Sequence, residues 1–239
     1  MDLKHNRKFV FFLFFKMHLN QYIDHTLLKP TSTLAEIEQL CNEAKMHEFA
    51  AVCVPPLFVK KCKEFLKDSM VKVATVVGFP FGYSAIEAKL AEILLAMVDG
   101  ADELDVVSNI MAVKNNDWLY VSNEINHLMP VIKSENKVIK VNVESGVLTK
   151  DELKKCCELY GAAGVDYLIT STGYAEKGAT VETVELMRKY LPGHVQIKAS
   201  GDIGTYDFAR QLIQAGATRL GCGASVAILN KQITENNDY

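Results

Sequence analysis

Asp99-Gly100-Ala101-Asp102-Glu103-Leu104-Asp105-Val106-Val107 contains the repeating joint of this chain. A glycine placed just past an amphipathic stretch accepts the left-handed backbone that ends a helix. Directly after it comes an apolar run with valines, which suits a strand. The same joint recurs at Ala163-Gly164-Val165-Asp166 and at Ala215-Gly216-Ala217-Thr218. One such turn would fit any α/β protein, but three of them favour repeated βα units.

Outward from these joints the chain alternates between two periods. Amphipathic stretches predict helices over Leu34–Glu48, Pro56–Lys67, Ser84–Val98, Asp117–Ser134, Lys150–Tyr160, Val181–Tyr190 and Tyr206–Gln214. Ser84 with Glu87 and Thr149 with Glu152 have the spacing of capping boxes, which satisfy free N–H groups at a helix start. Runs rich in β-branched residues predict strands over Tyr22–Leu28, Ala50–Val54, Val71–Val77, Glu103–Val107, Val138–Glu144, Asp166–Thr170, Gln196–Ser200 and Arg219–Cys222. Eight strands alternating with helices in 239 residues predict an α/β chain folded as a single (βα)8 TIM barrel. The competing doubly wound open sheet loses ground because no G-x-G-x-x-G follows the first strand.

Composition excludes several classes of function. With 26 basic and 29 acidic residues the net charge is −3, which gives no global field for nucleic acid or an anionic membrane. The six cysteines form no C-x-x-C pair and no cluster with histidine, so they read as reduced thiols in a cytoplasmic protein without a metal site. Residues 1–16 place Lys4, Arg7 and Lys8 before Phe9-Val10-Phe11-Phe12-Leu13-Phe14-Phe15, an imitation of a signal peptide with no small-residue cleavage site. That run is also far below the roughly 20 residues needed to span a bilayer. Residues 1–16 are therefore read as an extension ahead of a start at Met17, with the barrel in residues 17–239.

Within the strands, alternation separates two faces. Glu103 and Asp105 oppose Leu104 and Val106; Lys140, Asn142 and Glu144 oppose Ile139, Val141 and Val143; Gln196, Lys198 and Ser200 oppose Ile197 and Ala199. In a parallel barrel the apolar face packs under the outer helices, so the polar face points inward. Buried Asp105, Lys140, Glu144 and Lys198 must pair or shift their pKa values. At the C-terminal strand ends, where barrel active sites lie, such a cluster reads as functional.

Several ordered segments together carry a family resemblance: Ile23-Asp24-His25-Thr26-Leu27-Leu28, Ala51-Val52-Cys53-Val54, Val76-Val77-Gly78-Phe79-Pro80-Phe81-Gly82, Glu103-Leu104-Asp105-Val106-Val107, Thr170-Ser171-Thr172-Gly173 and Ile197-Lys198-Ala199-Ser200-Gly201. From about Tyr22 to Ile228 the chain resembles deoxyribose-phosphate aldolases, a class I aldolase family. The resemblance implies reversible cleavage of 2-deoxy-D-ribose 5-phosphate to acetaldehyde and D-glyceraldehyde 3-phosphate, as in deoxyribonucleotide catabolism. It implies a lysine Schiff base, no metal and no dissociable cofactor. The implied partners are a sugar phosphate and an aldehyde, with a homodimer left open as the assembly.

Carried over by position, Lys198 matches the lysine whose cation lowers the nucleophile's pKa, Asp105 the carboxylate of the proton relay, and Lys140 a further lysine of the cluster. Thr172, Gly173, Gly201, Gly221, Gly223 and Cys53 match substrate- and phosphate-binding positions. The departures are as informative. Ile169 stands where the Schiff-base lysine belongs, so the implied activity is expected to be impaired. Gly201-Asp202-Ile203-Gly204 carries an acid and a glycine where the family has a glycine and an arginine, and Cys222-Gly223-Ala224-Ser225 replaces a serine pair. The alternatives are a silent aldolase-like barrel that binds a sugar or serves as a structural protein, and an aldolase or isomerase of altered substrate.

Overall fold

A computed structural model describes residues 18–231. In chain order come β1 (Ile23–Thr26), α1 (Leu34–His47), β2 (Ala51–Val54), α2 (Val59–Phe65), β3 (Lys72–Val77), α3 (Ile86–Val98), β4 (Glu103–Val107), α4 (Ile110–Lys114), α5 (Trp118–Ser134), β5 (Val138–Asn142), α6 (Lys150–Ala163), β6 (Tyr167–Ile169), α7 (Val181–Tyr190), β7 (Gln196–Ser200), α8 (Tyr206–Gln214), β8 (Arg219–Cys222) and α9 (Ser225–Leu229). Each strand pairs in parallel with the next, and β8 pairs with β1 through Asp24 opposite Gly221, so the sheet closes into an eight-stranded barrel. The single (βα)8 architecture read from the sequence is therefore present. The reading of residues 1–16 lies outside the described residues.

The joints behave as their glycines require. Gly100 and Gly216 take φ of 102° and 119°, which side chains rarely adopt, and each turns a helix end back toward the next strand. Between sheet and helices the outward strand residues, among them Leu104, Val106, Ile139, Val141, Leu168 and Ile197, pack into one continuous apolar core. Removing that much apolar surface from water is what holds the helices on the barrel. Thr149 and Glu152 cap α6 reciprocally as expected, and Thr33 with Glu36 does the same for α1. The Ser84–Glu87 box does not form. Lys89 N–H bonds to the Ala85 carbonyl, so Ala85 takes the cap position and α3 starts at Ile86.

One ionic pair lies outside the barrel wall, between α3 and α5. Lys89 Nζ donates to Glu124 Oε1 at 2.6 Å and to the Val107 carbonyl at 2.7 Å, and both side chains are buried. The other carboxylate oxygen of Glu124 accepts from the Asn109 N–H at 3.3 Å. Among the described residues no helix is long and apolar enough to cross a membrane.

Candidate active site

Inward-facing polar residues of five strands meet inside the barrel. β4 contributes Glu103 and Asp105, β5 Lys140, β7 Lys198, β1 Asp24 and β8 Arg219, and all six are buried. Lys140 Nζ lies 2.6 Å from Glu103, 2.9 Å from Asp24 and 3.1 Å from Asp105. Lys198 Nζ lies 2.6 Å from Asp105 Oδ2 and 2.7 Å from Asp24 Oδ2. Arg219 donates from Nε to Asp24 at 2.9 Å and grips both oxygens of Glu103 from Nη2 at 2.7 Å. Three cations thus face three carboxylates, and the cluster is neutral as a whole.

Neutrality in sum keeps the individual groups charged. Burial works against the Lys198 ammonium, yet Asp105 and Asp24 outweigh it and hold the amine well above its ordinary range. Burial likewise opposes Lys140, and Asp105, Asp24 and Glu103 together raise it. Asp105 is pushed up by burial but pulled below the usual carboxylate range by Lys140 and Lys198, and Asp24, likewise opposed by burial, is pulled well below it by Arg219 and both lysines. Lys198 is therefore a cation at neutral pH and a poor nucleophile in this setting.

Ile169 sits beside it. Its Cα is the β6 partner of Lys198 in β7, and it is 2% exposed. Ile169 lines a small cleft of about 20 Å³ together with Cys53, Asp105, Asn142, Thr172 and Lys198, room for about one water-sized group. The Cys53 thiol is 3.8 Å from Asp105 Oδ2, and burial drives it up to about 12. Cys53 therefore presents a neutral thiol and an apolar wall.

The glycines do different jobs. A Cβ on Gly221 would come 2.7 Å from Ser200 Oγ and 3.1 Å from Lys198 Cε, so this glycine clears the path along which Lys198 reaches the cluster. Gly173 and Gly201 take φ of 87° and 91° in the loops after β6 and β7. Gly223 lines a separate cavity of about 240 Å³ with His25, Lys29, Gln39 and Glu43. Asp202, with φ of 60°, turns its carboxylate to accept the Gly178 N–H at 3.0 Å.

Three positions depart from the sequence reading. Glu144 does not join the lysines and aspartates. β5 ends at Asn142, and Glu144 adopts φ 49° and ψ 58°, which swings it away from the strand's alternation. Its Oε2 accepts from both the N–H and the hydroxyl of Thr172 instead. Asp24 and Arg219, in contrast, are full members of the cluster that strand alternation alone did not pick out. The signal for Arg219 was present, since Arg219 and Gly221 fall on one face of β8. Asp24 had no such signal, because Asp24, His25 and Thr26 are all buried.

The chain as a whole is similar to known aldolases. A family model described as DeoC/LacD family aldolase matches residues 18–228. The deoxyribose-phosphate aldolase of Caldicellulosiruptor saccharolyticus is 44% identical over 217 residues, covering 90% of this chain and 99% of that protein. That of Thermoanaerobacter sp. is 46% identical over 216 residues, covering 90% and 97%. Among solved structures, the tetrameric deoxyribose phosphate aldolase of Aeropyrum pernix superposes with a TM-score of 0.83 at 30% identity, covering 89% of each chain.

Proposed function

The chain belongs to the DeoC/LacD family of aldolases, and from that membership we propose that it is a deoxyribose-phosphate-aldolase-type barrel whose imine-forming position is Ile169. The observation that carries this reading is the pairing of Ile169 with Lys198 across β6 and β7, on a cleft shared with Asp105. An amine at position 169 would meet the Lys198 cation, which would depress its pKa and free its lone pair for attack on an aldehyde. Asp105, held ionised by Lys140 and Lys198, would pass protons through water. Isoleucine supplies neither lone pair nor proton, so cleavage and condensation of 2-deoxy-D-ribose 5-phosphate would run near background in this chain.

The test is reductive trapping. The chain is incubated with acetaldehyde and borohydride, and the intact mass is read. The expected result is no adduct for the chain as it stands and one adduct for Ile169→Lys, with cleavage activity appearing in the variant. A robust adduct mapped to Lys198 in the unaltered chain would overturn the reading.

A second reading rests on Asp202. Its carboxylate occupies the loop after β7, where a phosphate would meet negative charge. This favours a barrel that binds a non-phosphorylated sugar or aldehyde, and binding of deoxyribose unimproved by its 5-phosphate would support it. We also propose a cytoplasmic homodimer. Leu94, Leu95 and Val98 lie exposed on the outer face of α3, an apolar strip that a second copy could cover. Sedimentation of the full chain as a monomer would remove the dimer.

A further inference from the structure

Asn142 stands in the central cleft with an incomplete set of hydrogen bonds. It is 5% exposed and lines the cleft together with Ile169, Lys198 and Asp105. Its Cα is the β5 partner of Ile169, as Lys198 is the β7 partner, so the three stand side by side on neighbouring strands. Residues paired in this way lie about 4.8 Å apart and point to the same face of the sheet. A group held over position 169 is therefore within reach of the Asn142 side chain.

The orientation of its amide is fixed. Glu144 N–H donates to Asn142 Oδ1 at 2.9 Å. A backbone N–H can only donate, so the oxygen of the amide faces Glu144 and the NH2 end faces away from it. Asn142 Nδ2 has no hydrogen-bond partner among the described residues, yet it is not sealed in the interior as the unpartnered Ser171 Oγ is. It opens instead onto the space that Asn142 lines, the cleft at Ile169. Three polar neighbours there are already committed: Thr26 Oγ1 donates to the Asp24 carbonyl at 2.8 Å, Thr172 Oγ1 to Glu144, and Lys198 to Asp24 and Asp105. The cleft thus holds a free donor, fixed in place, and room for about one water-sized group.

Within the aldolase reading, on which this inference rests, that donor selects the aldehyde. Imine formation expels the aldehyde oxygen as water, so the free N–H needs an oxygen that stays in the ligand. The nearest carbon able to bear one is C2. Acetaldehyde, or the C2 methylene of a 2-deoxy sugar, would lay hydrocarbon on the N–H and leave it unpaired. A hydroxyl on C2 fills the space and accepts the bond. We propose that Asn142 is a specificity-determining residue of this barrel and that its substrate class is the 2-hydroxyaldehydes, with a sugar bearing a C2 hydroxyl as the compound cleaved. A site that keeps a donor for a hydroxyl rejects the analogue lacking it.

Two measurements test it. In the first, the unaltered 15N-labelled chain is titrated with the 5-phosphates of 2-deoxy-D-ribose, D-ribose and D-arabinose, the last two being the C2 epimers that carry the hydroxyl. The side-chain NH2 signal of Asn142 should shift saturably, with one epimer bound about tenfold more tightly than the 2-deoxy sugar. An unmoved signal, or no advantage for either epimer, overturns the proposal. In the second, glycolaldehyde and acetaldehyde compete for borohydride trapping in Ile169→Lys. Adding Asn142→Leu should lower the ratio of glycolaldehyde to acetaldehyde adduct about tenfold, and an unchanged ratio overturns the proposal while leaving the aldolase reading intact. If Ile169→Lys forms no adduct with either aldehyde, the aldolase reading fails. The titration, which needs neither imine nor variant, then decides whether Asn142 selects the hydroxyl, and it decides equally if Asn142→Leu does not fold.

Discussion

Two sets of buried charges in this molecule respond to burial in opposite ways. Behind the sheet, Lys89 and Glu124 form one pair, and burial wins: it pulls the Lys89 amine down and pushes the Glu124 carboxyl up, each toward its neutral form. Inside the barrel, burial also works against charge, yet Lys140 and Lys198 are raised and Asp24 and Asp105 lowered, each toward its charged form. The difference lies in the number of partners. Desolvation is incurred once per group, whereas attraction adds with every opposite charge in reach. Lys89 has one carboxylate at 2.6 Å, while Lys140 has three within 3.1 Å. Each barrel lysine meets two or three carboxylates and is pushed toward its charged form, whereas Lys89 meets one and is pushed the other way.

The contrast can be broken most severely at Asp24, which touches both lysines and Arg219. Asp24→Asn should cost about 3–5 kcal/mol by denaturant unfolding at pH 7. Because the folded Asp24 is held far below its unfolded pKa, its contribution is present above about pH 4 and fades as pH falls through the folded value. The deficit of Asp24→Asn should therefore shrink on acidification, and a deficit constant down to pH 2 would show that charge is not its source.

The outer pair should be softer. Lys89→Met is expected to cost about 2 kcal/mol, because Glu124 can keep its proton, and Lys89→Met with Glu124→Leu should return to within about 1 kcal/mol of the parent. A double variant as damaged as Asp24→Asn would erase the distinction between the two sets.

Ile169→Lys sharpens the comparison from the other side by adding a fourth cation to the three that balance the carboxylates. The new amine should have a folded pKa below its unfolded value of about 10.4, so its penalty is full at low pH and lifts as pH rises through the folded pKa. A loss of about 1–3 kcal/mol at pH 7 that diminishes at pH 10 is the expected melting result. Equal losses at both would mean that the amine has found a carboxylate of its own. Smallest of all, Lys61→Ala removes an exposed partner of Glu64 at 2.7 Å and should change stability by less than about 0.5 kcal/mol.

The fold was legible because its signals are local: a glycine at a helix end, a capping threonine, a valine-rich run. Asp105, Lys140 and Lys198 were legible because each stands alone between apolar neighbours in a strand with clear alternation. Asp24 was not, since its strand is buried on both faces and three of its four residues are polar. The position of Glu144 was hidden for another reason. Its left-handed turn occurs at a glutamate, a residue type that carries no turn signal, and the strand pattern ran on across it. Ser84 shows the limit of a motif, as its spacing from Glu87 is right but the helix starts one residue too late to use it.

Asp24 and Arg219 are also separated by 195 positions along the chain. As the polypeptide emerges from the ribosome, Asp24 comes out early and Arg219 near the end, and β1 gains its second neighbour only when β8 exists. Until then the ring is an open sheet with two bare edges, and its most heavily paired acid still lacks one of its three cations. A nascent chain stalled before residue 219 should remain protease-sensitive throughout rather than hold a stable partial barrel, so that release of the last strand sets the moment at which the whole molecule becomes committed.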